Sequence, residues 1–325
     1  MRVLICGAGA VGARAARHLV ADAGIEQVLV HDPDRRRRDA VVASLGDRAR
    51  TVDAADPGAA DVVLLASPPG RQLGVARRAV AEGRHVVSVA DSLTTVAGML
   101  DLHAEARERG VTVAVGAGFG PGLSCVLACH AAGELDAVEE VHIAHHGTGG
   151  PACARQHHHA LRGLGLDWRD HAWRRRPAGS GRELCFFPDP IGGADCYRAV
   201  LPDPVLLVPV FPGVRRVTAR LAATRRDRLT AGLPMMRRPH AEGRIGGLRV
   251  EVRGRRGAAH DTVVLGAVDR PAVAAGTVAA VTARWIAGDR VTTRGAAGLA
   301  SLVEPVPFLH ELARAGVSAA VFEGS

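Results

Sequence analysis

The chain has 325 residues, 47% of them apolar, which is enough for two domains with cores of their own. Its formal net charge of +8 invites a nucleic-acid partner, but aromatic residues that would stack on bases make up only 3% of the chain. Lys and Asn are both absent and every basic side chain is Arg, the mark of a GC-rich coding bias that raises Arg whatever the partner. Without Lys, Schiff-base catalysis and a lysine general acid are excluded. No apolar run approaches bilayer length and no secretory leader precedes the first strand, so a cytoplasmic protein with neither a membrane nor a nucleic-acid partner is expected. The six cysteines (Cys6, Cys125, Cys129, Cys153, Cys185 and Cys196) do not form a disulfide framework and are read as small core residues.

Short β-branched runs fall at Arg2–Cys6, Gln27–His31, Asp61–Ala66, His85–Ala90 and Val111–Val115. Helical patterns lie between them at Val11–Ala21, Asp34–Leu45, Arg71–Glu82 and Thr94–Arg109. This alternation predicts a doubly wound parallel sheet covered on both faces. The pattern changes near Gly133. Glu140–Ala144 reads as a strand, and a Gly-rich turn and a His-rich helix follow from Pro151 to about Leu164. Gly165–Pro212, rich in Pro, Gly and Trp, shows no clear period. Gly247–Gly254 and Asp261–Val268 read as an antiparallel pair, and Pro271–Ala287 as a helix with its Pro in the first turn. The expected division is 1–133 for the first domain, 134–268 for a smaller α+β domain that binds substrate and makes a dimer, and 269–325 packing back on the first. The dimer expectation rests on Leu248, Val250 and Val252, which alternate with charged residues and need a partner surface from this chain or a second copy.

The strongest motif is Gly-Ala-Gly-Ala-Val-Gly, Gly7–Gly12, which sits directly after a strand and opens a helix. Gly7 permits the tight turn, Gly9 lets the backbone approach a pyrophosphate, and Gly12 lets the helix pack close to the strand. The free N–H groups of the helix start, at Ala10 and Val11, face the phosphates. Asp32 stands at the end of the second strand, where a carboxylate holds the ribose hydroxyls and favours NAD. The run Arg35–Arg38 offers a partner for the 2′-phosphate of NADP or simply a solvated helix face, so NAD or NADP remains open with NAD favoured. The fold expected is α/β, with an N-terminal Rossmann sheet and the second α+β domain.

After the strand ending at Ala66 comes Ala-Ser-Pro-Pro-Gly (Ala66–Gly70), and after Val115 comes Gly-Ala-Gly-Phe-Gly-Pro-Gly-Leu-Ser (Gly116–Ser124) before a helix. With the glycine fingerprint, this series resembles the saccharopine dehydrogenase-like NAD(P)-dependent oxidoreductases over roughly the first 130 residues. The family often carries an acid where this chain has Gly120, so saccharopine itself is not implied as substrate. The resemblance implies hydride transfer at a C–N bond of an amino acid or its imine. It implies cofactor contacts at Ser67, Pro68, Pro69 and Gly118, and substrate contacts at Phe119, Gly120, Pro121 and Gly122. Two other readings stay open: a dehydrogenase of an aldehyde or hydroxy acid, and a non-catalytic NAD(P) sensor.

The proton has several candidate carriers. Asp91 follows a strand at the edge where nicotinamide would lie, and reads either as an acid–base group or as a helix cap with Ser92. His145 and His146 end a strand before Gly147-Thr148-Gly149-Gly150, and His145 reads either as a proton donor or, with His146, as one of a pair of surface histidines. The backbone at Thr148 and Gly149 can meet a substrate carboxylate at the next helix start. Tyr197 is the only tyrosine and lies beside Arg198. It is either a substrate hydroxyl or a packed core residue. Arg225, Arg226 and Arg228 read as carboxylate ligands or as an exposed ion-pair cluster. Cys153 with His157, and Cys125 with Cys129, are each four residues apart on helices, but they lack the paired signature of a zinc module, and no metal is expected.

Overall fold

The computed structural model describes residues 1–235, 238–317 and 319–321. Its first run of elements is β1 (Arg2–Cys6), α1 (Ala10–Val20), β2 (Gln27–His31), α2 (Arg35–Ala43), β3 (Ala49–Thr51), β4 (Val62–Leu65), α3 (Gln72–Ala81), β5 (His85–Ser88), α4 (Leu93–Leu100), α5 (His103–Glu108) and β6 (Thr112–Val115). Next come α6 (Leu123–Ala132), β7 (Ala137–His146), α7 (Pro151–Ala160), β8 (Leu164–Arg169), β9 (Ala172–Pro177), β10 (Glu183–Phe187), β11 (Gly192–Arg198), α8 (Asp203–Leu207), β12 (Arg216–Ala222), α9 (Arg225–Thr230), β13 (Gly246–Arg256) and β14 (Ala259–Asp269). The last are α10 (Pro271–Ala287), β15 (Gly295–Gly298), α11 (Leu299–Leu302), α12 (Pro305–Arg314) and β16 (Ala319–Val321).

The chain divides into two units: Met1–Gly122 with Ala272–Glu304, and Leu123–Pro271 with the segment from Pro305. The expected boundary at 133 thus moves ahead of α6, which lies in the second unit. The expected C-terminal segment is shared, because residues 272–304 join the first unit and α12 joins the second.

In the first unit seven strands run in the order β15-β6-β5-β4-β1-β2-β3, all parallel. The inner strands are apolar at their centres, and Val3, Leu4, Ile5, Val62, Val63 and Leu64 have no exposed surface, as a sheet covered on both faces requires. The single helix expected over Thr94–Arg109 is two, α4 and α5. Helix α10 owes its place to small residues. A Cβ at Gly276 would lie 2.6 Å from the Val11 carbonyl oxygen of α1, so only glycine lets the two helices touch there.

The second unit holds a mixed nine-stranded sheet, ordered β10-β11-β12-β7-β13-β14-β16, with the β8–β9 hairpin attached to β12. It is larger than the small sheet expected, because the Pro-, Gly- and Trp-rich stretch supplies β8 to β11. The antiparallel pair expected between Gly247 and Val268 is present as β13–β14, with Leu248 opposite Ala267. Leu248, Val250 and Val252 are completely buried, and α6 of the same unit packs on β13. The partner surface that their alternation calls for is therefore inside the chain. The opposite face of β13 is ionic: Glu251 lies between Arg249 and Arg253. Among the described residues no helix is long and apolar enough to cross a membrane.

Candidate functional site

Because every strand of the first sheet is parallel, the turns after β1, β4, β5 and β6 emerge at one edge, and the strand order reverses between β1 and β4. Open α/β sheets bind ligands at such a reversal. The glycine turn after β1 and the Ser67–Gly70 turn after β4 touch here: Gly7 has φ +115°, and a Cβ on it would come within 2.7 Å of the Ala66 carbonyl. Gly12 is equally constrained, since its Cβ would lie 1.8 Å from the Gly7 oxygen. Gly9 is different. A Cβ there meets nothing within 4 Å, so its lack of a side chain serves no packing need inside the protein. It leaves open the ground in front of α1, whose N-cap Gly9 has no side chain to satisfy the first-turn amides. These residues fit a dinucleotide pyrophosphate.

Asp32 is buried, and its carboxylate accepts the Ala8 N–H and the Asp34 N–H, each at 2.8 Å. It therefore clasps the glycine turn to β2. Arg37 approaches it to 4.0 Å. Of the Arg35–Arg38 run, Arg38 is not solvated: it is buried and pairs with Asp53 at 2.7 Å. Gln72, which the sequence reading passed over, donates to the Ser67 carbonyl oxygen and accepts from the Ser88 hydroxyl at 2.7 Å, tying the Ser67–Gly70 turn to β5. Residues Gly116–Gly122 fold back on themselves. The Gly118 N–H donates to the Pro121 carbonyl at 3.0 Å, Phe119 is buried, and a Cβ on Gly122 (φ +125°) would strike Gly118. Asp91 is buried at the end of the β5 segment on this edge, and Ser92 caps α4 without a side-chain hydrogen bond.

The second unit contains a buried polar network. Alternation along β7 turns Val141, Ile143 and His145 to the face covered by helices, so His145 takes a core position and is only 3% exposed. Its Nε2 lies 3.1 Å from Oδ1 of Asp203, the first residue of α8, and the Ser124 hydroxyl of α6 donates to the same oxygen at 2.8 Å. Asp203 has no exposed surface, and its Oδ2 has no hydrogen-bond partner among the described residues. Burial alone would raise its carboxyl, yet the charge and hydrogen bond of His145 and the Ser124 hydroxyl together hold it below the usual range. His157 of α7 joins the network electrostatically. Burial, helped by the charge of His145, pushes its imidazole down to about 4.

Two comparisons place the chain. Residues 3–114 match the family described as saccharopine dehydrogenase NADP binding domain. Over those residues the chain is similar to that domain. The complete chain is similar in fold to apo saccharopine dehydrogenase (L-Glu forming) from Saccharomyces cerevisiae, with a TM-score of 0.71, 15% identity and 99% of each chain covered. It is also similar to an amine dehydrogenase from Mycobacterium smegmatis, with a TM-score of 0.53, 11% identity, and coverage of 94% of this chain and 96% of that one.

The expected cofactor residues gather at one edge of the first unit's sheet: Gly7–Gly12, Asp32, the Ser67–Pro69 turn and Gly118. The candidate proton carriers in the second unit do not all gather. Tyr197 shares a row of the sheet with Leu221, His145 and Leu248, so a strand separates it from His145. It is buried beneath the Arg228 guanidinium, 4.1 Å from the ring centroid, and Arg228 also donates to the Gly179 carbonyl at 2.7 Å. His146 points to the other face and packs on Phe187 with 5.5 Å between ring centroids. Thr148 and Gly149 form the turn before α7, whose N-cap Gly150 offers no side chain. Cys153 Sγ lies 3.7 Å from His157 Nε2 within α7. Ser124 and Asp203 were not singled out from sequence. The signal for Asp203 was present: a lone carboxylate inside the apolar run Leu201–Val210.

Proposed function

We propose that this protein is an NAD(P)-dependent oxidoreductase that transfers hydride at a C–N bond of an amino acid or its imine. The observation that carries the reading is Gly9, glycine for no internal reason, at the helix start of a unit similar to the saccharopine dehydrogenase NADP binding domain. The two similarly folded proteins, named for saccharopine and amine oxidation, support the choice of a C–N bond. When bound, the dinucleotide supplies or takes the hydride. The chain's own residues do the rest. The Gly7–Gly12 turn and the start of α1 hold the phosphates, and Asp32 holds the adenosine ribose, with NAD favoured over NADP. Oxidising an amine to an imine also releases one proton from nitrogen, and reduction takes one up. We assign that proton to His145. The Ser124 hydroxyl hydrogen is directed at Asp203 and not at the imidazole, so these three residues are not arranged as a nucleophile with its base. The substrate is a small molecule, the setting cytoplasmic and the working form a homodimer, the commonest form among soluble oligomers.

Nicotinamide absorbance tests the reading. Purified protein is given NAD or NADP with amino acids and amines, and the reduced cofactors with oxo acids plus amines. Turnover of at least one C–N pair is expected. Turnover confined to aldehydes or hydroxy acids would overturn the C–N assignment, and dinucleotide binding without turnover on any panel would make the protein a sensor.

A further inference from the structure

We propose that Asp203, tied down by Ser124, is a positioning residue that locks His145 as its Nε2–H tautomer and leaves Nδ1 to exchange the proton with the substrate nitrogen. This rests on the assignment of His145 above.

Three features carry it. First, a carboxylate can only accept, and Oδ1 of Asp203 lies 3.1 Å from His145 Nε2. The ring hydrogen therefore sits on Nε2, and in the neutral ring the lone pair is on Nδ1. Second, the carboxylate is buried and held in place. It has no exposed surface, its Oδ1 also takes the Ser124 hydroxyl at 2.8 Å, and its other oxygen has no partner among the described residues to pull it away. Third, the parts come from separate elements. His145 is on β7, Asp203 begins α8 and Ser124 is the second residue of α6, so three packed segments set the ring's orientation. A buried carboxylate that merely filled space would cost free energy without return. This one has a single cation-forming neighbour within hydrogen-bond reach, and it is the residue assigned the proton. Positioning groups of this kind act on the catalytic step and not on binding, because they alter the state of a side chain that touches substrate without touching substrate themselves.

The test is nitrogen NMR of the His145 ring together with steady-state kinetics. In wild type the ring is expected to show hydrogen on Nε2 and a lone pair on Nδ1. Asp203→Asn keeps the shape but can present its amide N–H to Nε2 and so reverse the tautomer. It is expected to lower kcat about 100-fold or more while KM and the dinucleotide Kd stay within about twofold. Ser124→Ala should keep the wild-type tautomer and lose kcat about threefold to tenfold, because it loosens the carboxylate without removing it. A wild-type ring with its hydrogen on Nδ1 overturns the proposal, even if Asp203→Asn fails to fold. So does an Asp203→Asn protein with wild-type kcat. If the ring is Nε2–H but wild type turns over no C–N substrate, the lock stands and the functional assignment fails.

Discussion

Gly9→Val and Gly12→Ala separate what the fingerprint does for the fold from what it does for the cofactor. Gly9 has φ −74° and ψ −173°, an extended backbone open to any residue, and its Cβ would meet nothing within 4 Å. Gly9→Val should therefore change stability by less than about 1 kcal/mol, the range for surface and weak cap positions. Gly12 is the opposite. Its Cβ would sit 1.8 Å from the Gly7 oxygen and 3.0 Å from the Gly7 carbon, both backbone atoms that cannot rotate away. Helix α1 would have to shift off β1, at about 2 kcal/mol or more. For a domain of this size that lowers the melting temperature by about 4–8 °C. In the bound state the valine of Gly9→Val occupies the ground that the pyrophosphate approaches, and a loss of at least about tenfold in dinucleotide affinity follows. Thermal unfolding and calorimetry with NAD and NADP measure both effects. A folded Gly9→Val that binds both dinucleotides as wild type does would refute the cofactor assignment, and a Gly12→Ala with unchanged melting would refute the packing account.

Wild type should bind NAD more tightly than NADP, and Asp32→Ser should shift preference toward NADP by about tenfold while losing about 1–3 kcal/mol of stability, because the Ala8 and Asp34 N–H groups lose their acceptor. Calorimetry on both cofactors checks this, and a wild-type preference for NADP would mean that the Arg35–Arg38 run prevails. The His157 ring takes its proton near 6.5 when unfolded and only near about 4 when folded, so the unfolded state binds more protons between those values. Its contribution is intact above pH about 6.5, drains as pH falls through that window to a total of roughly 3 kcal/mol, and levels below about 4. The stability difference between wild type and His157→Gln, measured by denaturant at several pH values, should shrink along that slope, and a pH-independent difference would contradict it. His145→Gln and Thr148→Ala should depress turnover far more than dinucleotide binding, and wild-type kinetics in both would move the substrate site elsewhere. Light scattering should give a dimer, and a monomer at micromolar concentration would refute that.

Much of the first unit was legible in the sequence because its signals are local. Each inner strand centres on an apolar run, helices fall between turn residues, and the glycine fingerprint spans six consecutive positions whose spacing alone specifies strand, turn and helix start. Even α10, from Pro271 to Ala287, announced itself through proline at its start and small residues along it. Sequence pattern also put His145 at the end of a strand, but a pair of surface histidines fitted that place as well, and only the structure turns Val141, Ile143 and His145 to the covered face. What the pattern did not contain was the partner. Ser124, His145 and Asp203 are far apart in the chain and meet only because α6 and α8 lie on the same face of the second sheet, a pairing decided by long-range packing. The same holds for β8 to β11, short strands whose Pro and Gly content hides any period and which exist as strands because neighbouring strands satisfy their backbone groups. The covering of Leu248, Val250 and Val252 is the clearest case. Alternation determined that one face of β13 must be buried, and only tertiary structure decided that a helix of the same chain would bury it, since hydrophobic burial is non-directional and fixes how much surface is hidden without naming what hides it.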